Sequence, residues 1–215
     1  MANDGEIPEA TVARLPLYRR SLVELASSGV PTVSSARLAE LAGVNAAKVR
    51  KDLSHLGSYG IRGVGYDVEY LLRQVGEVLG LDVDAPVVIV GLGNLGQALA
   101  RYGGFESRGF PIVAFIDSDE SKIGTDFDGI RIDHIDDLPT LVAERNLAVG
   151  IIATPAWAAQ NVADLMVEAG IRSILNFAPT IISVPPDIPL RKVDLATELQ
   201  ILSYYQQRGS DERAV

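Results

Sequence analysis

Between Ala10 and Ser28, apolar residues recur at three- and four-residue steps: Val12, Leu15, Tyr18, Leu22 and Leu25. That spacing predicts one face of a helix, closed by Gly29. Pro16 removes one helical hydrogen bond, so either the axis bends there or a first turn ends before it. The run V-S-S-A-R-L-A-E-L-A-G-V-N-A-A-K-V-R-K-D-L-S-H-L-G then holds two short helical patterns. Ser34 or Ser35 caps the first through Ala42, Gly43 supplies the turn, and Asn45 caps the second through Leu56. This is helix-turn-helix spacing. Val49, Leu53 and Leu56 point inward from the second helix, leaving Ala46, Lys48, Arg50, Lys51 and Ser54 exposed. Next, G-S-Y-G-I-R-G-V-G-Y carries four glycines in ten residues, which suits a flexible turn between two short strands: a wing with Arg62 at its tip. Asp67 caps a further helix over Val68, Leu71, Leu72, Val75 and Leu79, ending at Gly80.

An acidic segment with a proline, Leu81 to Pro86, marks a boundary. Residues 1–80 are expected to form a winged-helix domain and residues 81–190 a second domain, followed by a terminal helix within 191–209 and a tail over 210–215. In the second domain short apolar runs alternate with helical stretches. Strands are expected at Val87 to Val90, Ile112 to Ile116, Val149 to Ala153 and Ser173 to Asn176. Helices are expected at Asn94 to Tyr102, Ile135 to Glu144, Ala156 to Glu168 and Leu195 to Gln207. The alternation implies an α/β fold with a doubly wound parallel sheet of the Rossmann type.

Gly91-Leu92-Gly93-Asn94-Leu95-Gly96 is G-x-G-x-x-G. Alone the pattern is weak, but it follows an apolar run, opens a helical pattern and precedes a second run ending at Asp117. Gly91 permits the tight turn, Gly93 lets backbone approach a pyrophosphate, and Gly96 lets helix pack on strand. Amides at the helix start meet the phosphates. Asp117 suits both hydroxyls of an adenosine ribose and repels a 2′-phosphate, so NADH and NAD+ are expected over their phosphorylated forms. Lys122 is a nearby cation that softens this repulsion. Thr154-Pro155 and Asn176-Phe177-Ala178-Pro179 follow the two later strands and are expected to border the nicotinamide half. Two alternatives stay open: a glycine turn with no ligand, and a site for another nucleotide such as coenzyme A.

Composition narrows the picture. No cysteine occurs, so a thiol switch, a disulfide framework and a thiolate metal site are excluded, and redox sensing must use a bound cofactor. No metal is expected. No signal sequence is evident, and no apolar run approaches the roughly 18 residues of a membrane span; a soluble cytoplasmic protein with no membrane contact is expected. The polar ends, Met1 to Ile7 and Ser210 to Val215, are expected to be poorly ordered. The net charge of -9 is unevenly spread. Residues 1–80 hold nine Lys+Arg against nine Asp+Glu, and the acidity lies beyond them. From Arg37 to Arg62 the cations Arg37, Lys48, Arg50, Lys51 and Arg62 face only Glu40 and Asp52, a local excess that suits phosphate.

A dehydrogenase needs an acid or base beside the hydride carbon and a domain that grips substrate. The two histidines, His55 and His134, fall in the second short helix and before an acidic helix, and the chain after Phe177 is too short for a substrate domain. No catalytic residue is assigned, although Tyr102 or Lys192 stays open as an acid. On the DNA side, Ser35, Ala46, Lys48, Arg50, Lys51, Ser54 and Arg62 are the candidate contacts. Asp52 among these cations favours the alternative of an ordinary solvated face on a protein-binding module.

R-L-P-L-Y-R-R, V-S-S-A-R-L-A, V-R-K-D-L-S-H-L-G, G-Y-D-V-E-Y-L-L, V-G-L-G-N-L-G, S-K-I-G, I-L-N-F-A-P and V-D-L-A-T-E-L-Q together resemble the Rex family of bacterial redox-sensing repressors over nearly the full chain. The resemblance implies a homodimer that binds palindromic operator DNA when NADH is low and releases it when NADH binds. It implies a terminal helix exchanged between subunits, Tyr102 near the nicotinamide, and a charged contact between Arg14 and Asp194 across subunits in one state only. The apolar stripe Leu195, Leu199, Leu202 and Tyr205, after a cap at Asp194, fits a helix that must dock somewhere.

Overall fold

The computed structural model describes residues 7–57, 60–61 and 63–211, the last four by backbone alone. Two compact units divide the chain, Met1–Val83 and Asp84–Val215.

The first unit opens with α1 (Glu9–Val12) and α2 (Leu15–Ser27). A first turn does end before Pro16, which sits at the start of α2, where a missing N–H breaks no helical bond. Ser34 caps α3 (Ser35–Ala42) by accepting from the Arg37 N–H, and Gly43 ends it in the left-handed region at φ 66°. Asn45 caps α4 (Ala46–His55) by accepting from the Ala47 N–H. Asp67 likewise accepts from the Tyr70 N–H at the head of α5 (Val68–Val78). Leu15, Tyr18, Leu22, Leu38, Val49, Leu53, Val68, Leu71 and Val75 form the buried core.

The wing departs from expectation. β2 (Tyr66–Asp67) pairs antiparallel with β1 (Thr32–Val33), which precedes α3, instead of with the strand entering its own glycine turn. Within the glycine-rich stretch, the described residues show one isolated bridge, Ile61 to Gly65. Arg62 lies outside the described residues.

The second unit is a seven-stranded sheet. Its strands are β3 (Val87–Val90), β4 (Ile112–Asp117), β5 (Asp126–Phe127), β6 (Ile130–His134), β7 (Val149–Ile152), β8 (Ser173–Asn176) and β9 (Leu190–Lys192). Their order is β5-β6-β4-β3-β7-β8-β9, with only β5 antiparallel to its neighbour. α6 (Asn94–Ala100), α7 (Leu138–Arg145) and α8 (Ala156–Ala169) cover it. Val88, Val90, Ala114 and Ile116 pack with α7 and α8 on one face. Val87, Ile89, Phe115 and Ile151 pack with Leu99, Phe105 and Phe127 on the other. Burial on both faces explains continuous apolar runs such as Val87 to Val90. The β5–β6 hairpin and β9 were not among the expected strands. The hairpin turns at Asp128 and Gly129, both at positive φ, as a two-residue loop with the right twist requires.

α9 (Leu195–Asp211) continues past Ser210, where the tail was expected to begin. Helix ends are the least sharply specified boundary in a sequence. Leu195, Leu199, Leu202 and Tyr205 are all more than half exposed on it.

Candidate functional site

The strand order reverses at β3, whose neighbours are β4 and β7, and the crevice beyond the carboxyl ends of strands at such a point is where open α/β sheets bind ligands. A cleft of about 630 Å³ lies there. Gly91, at φ 96°, leaves β3 so close to β7 that an added Cβ would meet the Ala153 carbonyl carbon at 2.8 Å. At Gly96 a Cβ would collide with the Gly91 carbonyl oxygen, so the first turn of α6 can pack this close to the end of β3 only with glycine there. Gly93 has open space around it, leaving room for a ligand group over the amides that open α6.

Asp117 ends β4 and folds back over this turn. Its Oδ2 accepts from the Leu92 N–H at 2.8 Å and from Lys122 Nζ at 2.9 Å. Its Oδ1 accepts from the N–H groups of Ser118 and Asp119 at 2.8 and 2.9 Å. Burial pushes this carboxyl up, but the Lys122 ammonium and the Asp119 and Leu92 N–H groups outweigh it and hold Asp117 below the usual carboxylate range. The Lys122 side chain is a third exposed, and both partners of this ion pair border the cleft.

Gly91, Gly93, Asn94, Leu95, Asp117, Lys122, Thr154, Pro155, Phe177 and Pro179 all border the cleft. Thr154 Oγ1 is buried with no hydrogen-bond partner, an unmatched hydroxyl at the wall of the cleft. Leu92, Gly96, Asn176 and Ala178, also expected at the site, do not border the cleft. Asn176 accepts from the Ala178 N–H at 2.8 Å and donates to the Thr180 carbonyl at 3.1 Å, fixing the loop that presents Phe177 and Pro179. Tyr102 stands apart: it packs edge-on against Phe105 and borders a separate cavity of about 180 Å³ with Glu106 and Asp128. Sequence reasoning missed Ile135, Trp157, Ala158, Asn161 and Val162, which also line the cleft. Neither histidine borders the cleft; His134 Nδ1 accepts from the Asp136 N–H at a helix start.

In the first unit, Lys48, Arg50 and Lys51 are exposed along α4, with Ala46 and Ser54 half-buried on the same side. Arg50 donates to Ser35 Oγ at 3.1 Å, which ties the start of α3 to the middle of α4. The Ser54 hydroxyl donates to the Lys51 carbonyl. Ala47, exposed in the first turn, belongs to this face as well.

Asp52 corrects the expectation that it belongs to a solvated face. It is 1% exposed and turned inward. Arg14 donates to it twice at 2.7 Å, Tyr18 Oη at 2.7 Å and Thr11 Oγ1 at 2.9 Å. Burial raises this carboxyl, yet the bonds from Arg14, Tyr18 and Thr11 prevail and keep it below its usual range. The Arg14 side chain retains 24% of its exposure. Asp194 accepts from the Ala196 and Thr197 N–H groups at the head of α9 and pairs with Lys192 at 3.2 Å. Arg14 and Asp194 therefore each have partners within their own chain.

Among known families, a model described as a putative DNA-binding protein N-terminus matches residues 6–54, and one described as a CoA binding domain matches residues 82–180. A redox-sensing transcriptional repressor Rex from Streptomyces griseus is 59% identical over 206 residues, covering 96% of this chain and 81% of its own. The Rex of Syntrophomonas wolfei is 48% identical over 200 residues, covering 93% and 95%. The crystal structure of RSP, a Rex-family repressor, superposes with a TM-score of 0.88 at 34% identity, covering 98% of this chain and 99% of that one. RSP in complex with β-NAD+ and operator DNA gives 0.89 at 34% identity, covering 98% and 97%.

Proposed function

Because this chain belongs to the Rex family of redox-sensing transcriptional repressors, we propose that its cleft binds NADH and NAD+ as signals and that α4 presents its cations to operator DNA. The protein is a regulator, not an enzyme. The observation that carries the ligand assignment is Asp117, a buried, ionised carboxylate at the end of β4, bonded to the turn that leads into α6. A carboxylate there accepts free ribose hydroxyls and repels a ribose phosphate. That favours NAD(H) over both NADP(H) and coenzyme A, whose ribose is phosphorylated. The turn amides hold the pyrophosphate, and Thr154, Pro155, Phe177 and Pro179 receive the nicotinamide. Among the described residues that line the cleft the only carboxylate is Asp117, which is engaged at the end of β4, so the neutral ring of NADH is preferred at the other end.

On DNA, Ala46, Ala47 and Arg50 approach base edges from the start of α4, while Lys48, Lys51 and Arg62 hold phosphates. The exposed stripe of α9 supports a homodimer on a palindromic operator, with the partner subunit covering that stripe. Arg14 keeps an exposed edge for Asp194 of the partner subunit in one state, and a ligand that favours one state shifts the balance only through such unequal contacts. A DNA-binding sensor of this kind works in the cytoplasm, and no helix among the described residues is long and apolar enough to cross a membrane.

A gel-shift titration of operator DNA with NADH, NAD+ and NADPH tests the reading. Micromolar NADH releases the DNA, while NAD+ and NADPH release it poorly. Operator binding that ignores all three nucleotides overturns the sensor assignment.

A further inference from the structure

Asp52 is a buried acid on the helix assigned to DNA, and each of its oxygens accepts two hydrogen bonds. Oδ1 accepts from Arg14 Nη2 at 2.7 Å and from Thr11 Oγ1 at 2.9 Å. Oδ2 accepts from Arg14 Nε at 2.7 Å and from Tyr18 Oη at 2.7 Å. The donors come from α1, from the residue that leads into α2 and from α2 itself. Because two N–H groups of Arg14 meet both oxygens at once, this fork fixes the plane of the carboxylate. Val49 and Leu53 also anchor α4 in the core. Apolar contact is non-directional, so it sets the depth of the helix and tolerates a turn about its axis.

We propose that Asp52 is a positioning residue, whose four bonds fix the rotation of α4 and so decide how well the protein tells its operator from other DNA; the proposal rests on the assignment of α4 to DNA made above. At about 100° per residue, Ala47 and Arg50 stand on nearly the opposite side of the helix from Asp52. With side chains the helix is about 10–12 Å across, so a turn of about 20° carries a surface atom about 2 Å. The usable range of a hydrogen bond spans only about 0.5 Å. Such a turn therefore breaks contacts to base edges, whereas attraction of cations to phosphates survives it. A buried ion pair seldom outdoes apolar side chains of equal volume in stability, so direction is what this one adds.

The test compares the full-length protein on two duplexes of equal length: one enriched by the parent protein from a random pool, and a scrambled one. Thermal melts establish that each variant is folded at the binding temperature. Asp52→Asn keeps the shape but turns one acceptor into a donor. Its affinity for the enriched duplex is expected to fall about tenfold, within the discrimination that one base contact supplies, with affinity for the scrambled duplex and its salt slope unchanged. Tyr18→Phe removes one of the four bonds and keeps the ring in the core. It should lose about threefold on the enriched duplex alone, and it decides the matter if Asp52→Asn is unfolded. Loss in equal proportion on both duplexes signals unfolding and overturns the positioning role. Removal of a negative charge beside Lys48 and Lys51 would by itself tighten binding to any DNA, so unchanged or tighter binding to both duplexes overturns it as well. If the parent does not distinguish the two duplexes, the assignment of α4 to operator DNA fails, and this proposal with it.

Discussion

Arg14 grips Asp52 through two hydrogen bonds of 2.7 Å, so the segment before α2 holds α4 by a buried carboxylate. Exchanging one carboxylate oxygen for an amide NH2 leaves the guanidinium without its anion and takes the acceptor from one of the two hydroxyls, Thr11 or Tyr18. Asp52→Asn is expected to destabilise the first unit by about 3 kcal/mol, tempered by the partial exposure of Arg14. A urea melt of the full chain checks this. A loss below about 0.5 kcal/mol, the scale of an ordinary surface change, would show that the cluster holds nothing.

Asp52 and Asp117 both have folded-state pKa values below the ordinary carboxylate range. At higher pH both are ionised, folded or unfolded, and their contribution is constant. As pH falls past about 3.9, the unfolded chain takes up protons that the fold excludes. Stability then declines, and the contribution is lost once the folded values are crossed. Melting temperatures measured from pH 6 to pH 3 should show this descending limb, and Asp52→Asn should flatten it. An unchanged slope in the variant would assign the limb to other groups.

Gly96 and Gly93 make a matched pair. A methyl group at Gly96 strikes the Gly91 carbonyl, whereas one at Gly93 meets nothing. Gly96→Ala should therefore lower the melting temperature and abolish NADH binding together. Gly93→Ala should melt like the parent yet bind NADH at least tenfold more weakly, because its methyl occupies the approach of the pyrophosphate. Isothermal titration beside a thermal melt separates the two.

Replacing Asp117 with alanine removes the acceptor of the ribose hydroxyls and the nearer of the two carboxylates paired with the Lys122 ammonium, leaving Asp119 at 3.8 Å. NADH affinity is expected to fall about tenfold, near the roughly 1.4 kcal/mol that corresponds to a decade. NADPH affinity should rise toward it, since a cation now faces the 2′-phosphate. A variant that still rejects NADPH as the parent does would deny Asp117 its role in selecting the ribose.

Arg50→Ala tests the DNA face. Neutralising one phosphate contact lowers the slope of log affinity against log salt by about 0.9, whereas loss of a base contact costs about 1–3 kcal/mol on the operator and little on random DNA. Anisotropy titrations at several salt concentrations on both DNAs distinguish these outcomes. Equal affinity to the parent on both would remove Arg50 from the interface.

Much of this was readable in the residues because the signals are local. Ser34, Gly43 and Asn45 punctuate the helix-turn-helix, and the glycine turn sits between an apolar run and a helical one. Asp52 was harder. Its place three residues after Val49 puts it on the inward side of α4, but the cations around it suggest a surface, and the helix that buries it is distant in sequence. The β5–β6 hairpin escaped because its outer strand is two residues long, although Asp128-Gly129 is a strong turn signal. Trp157 and Asn161 read as ordinary helical residues until the crossover from β7 to α8 brings them to the cleft that Asp117 enters from β4.

The pairing of Val33 with Tyr66 bears on how such a regulator diversifies. The ladder brackets α3 and α4, whose Leu38, Val49 and Leu53 pack into the core shared with α2 and α5. Ala47, Lys48, Arg50 and Lys51 lie outside that core, exposed on α4. Lineages can therefore rewrite those exposed positions, the face proposed to meet DNA, while the buried ones keep α2 and α5 packed.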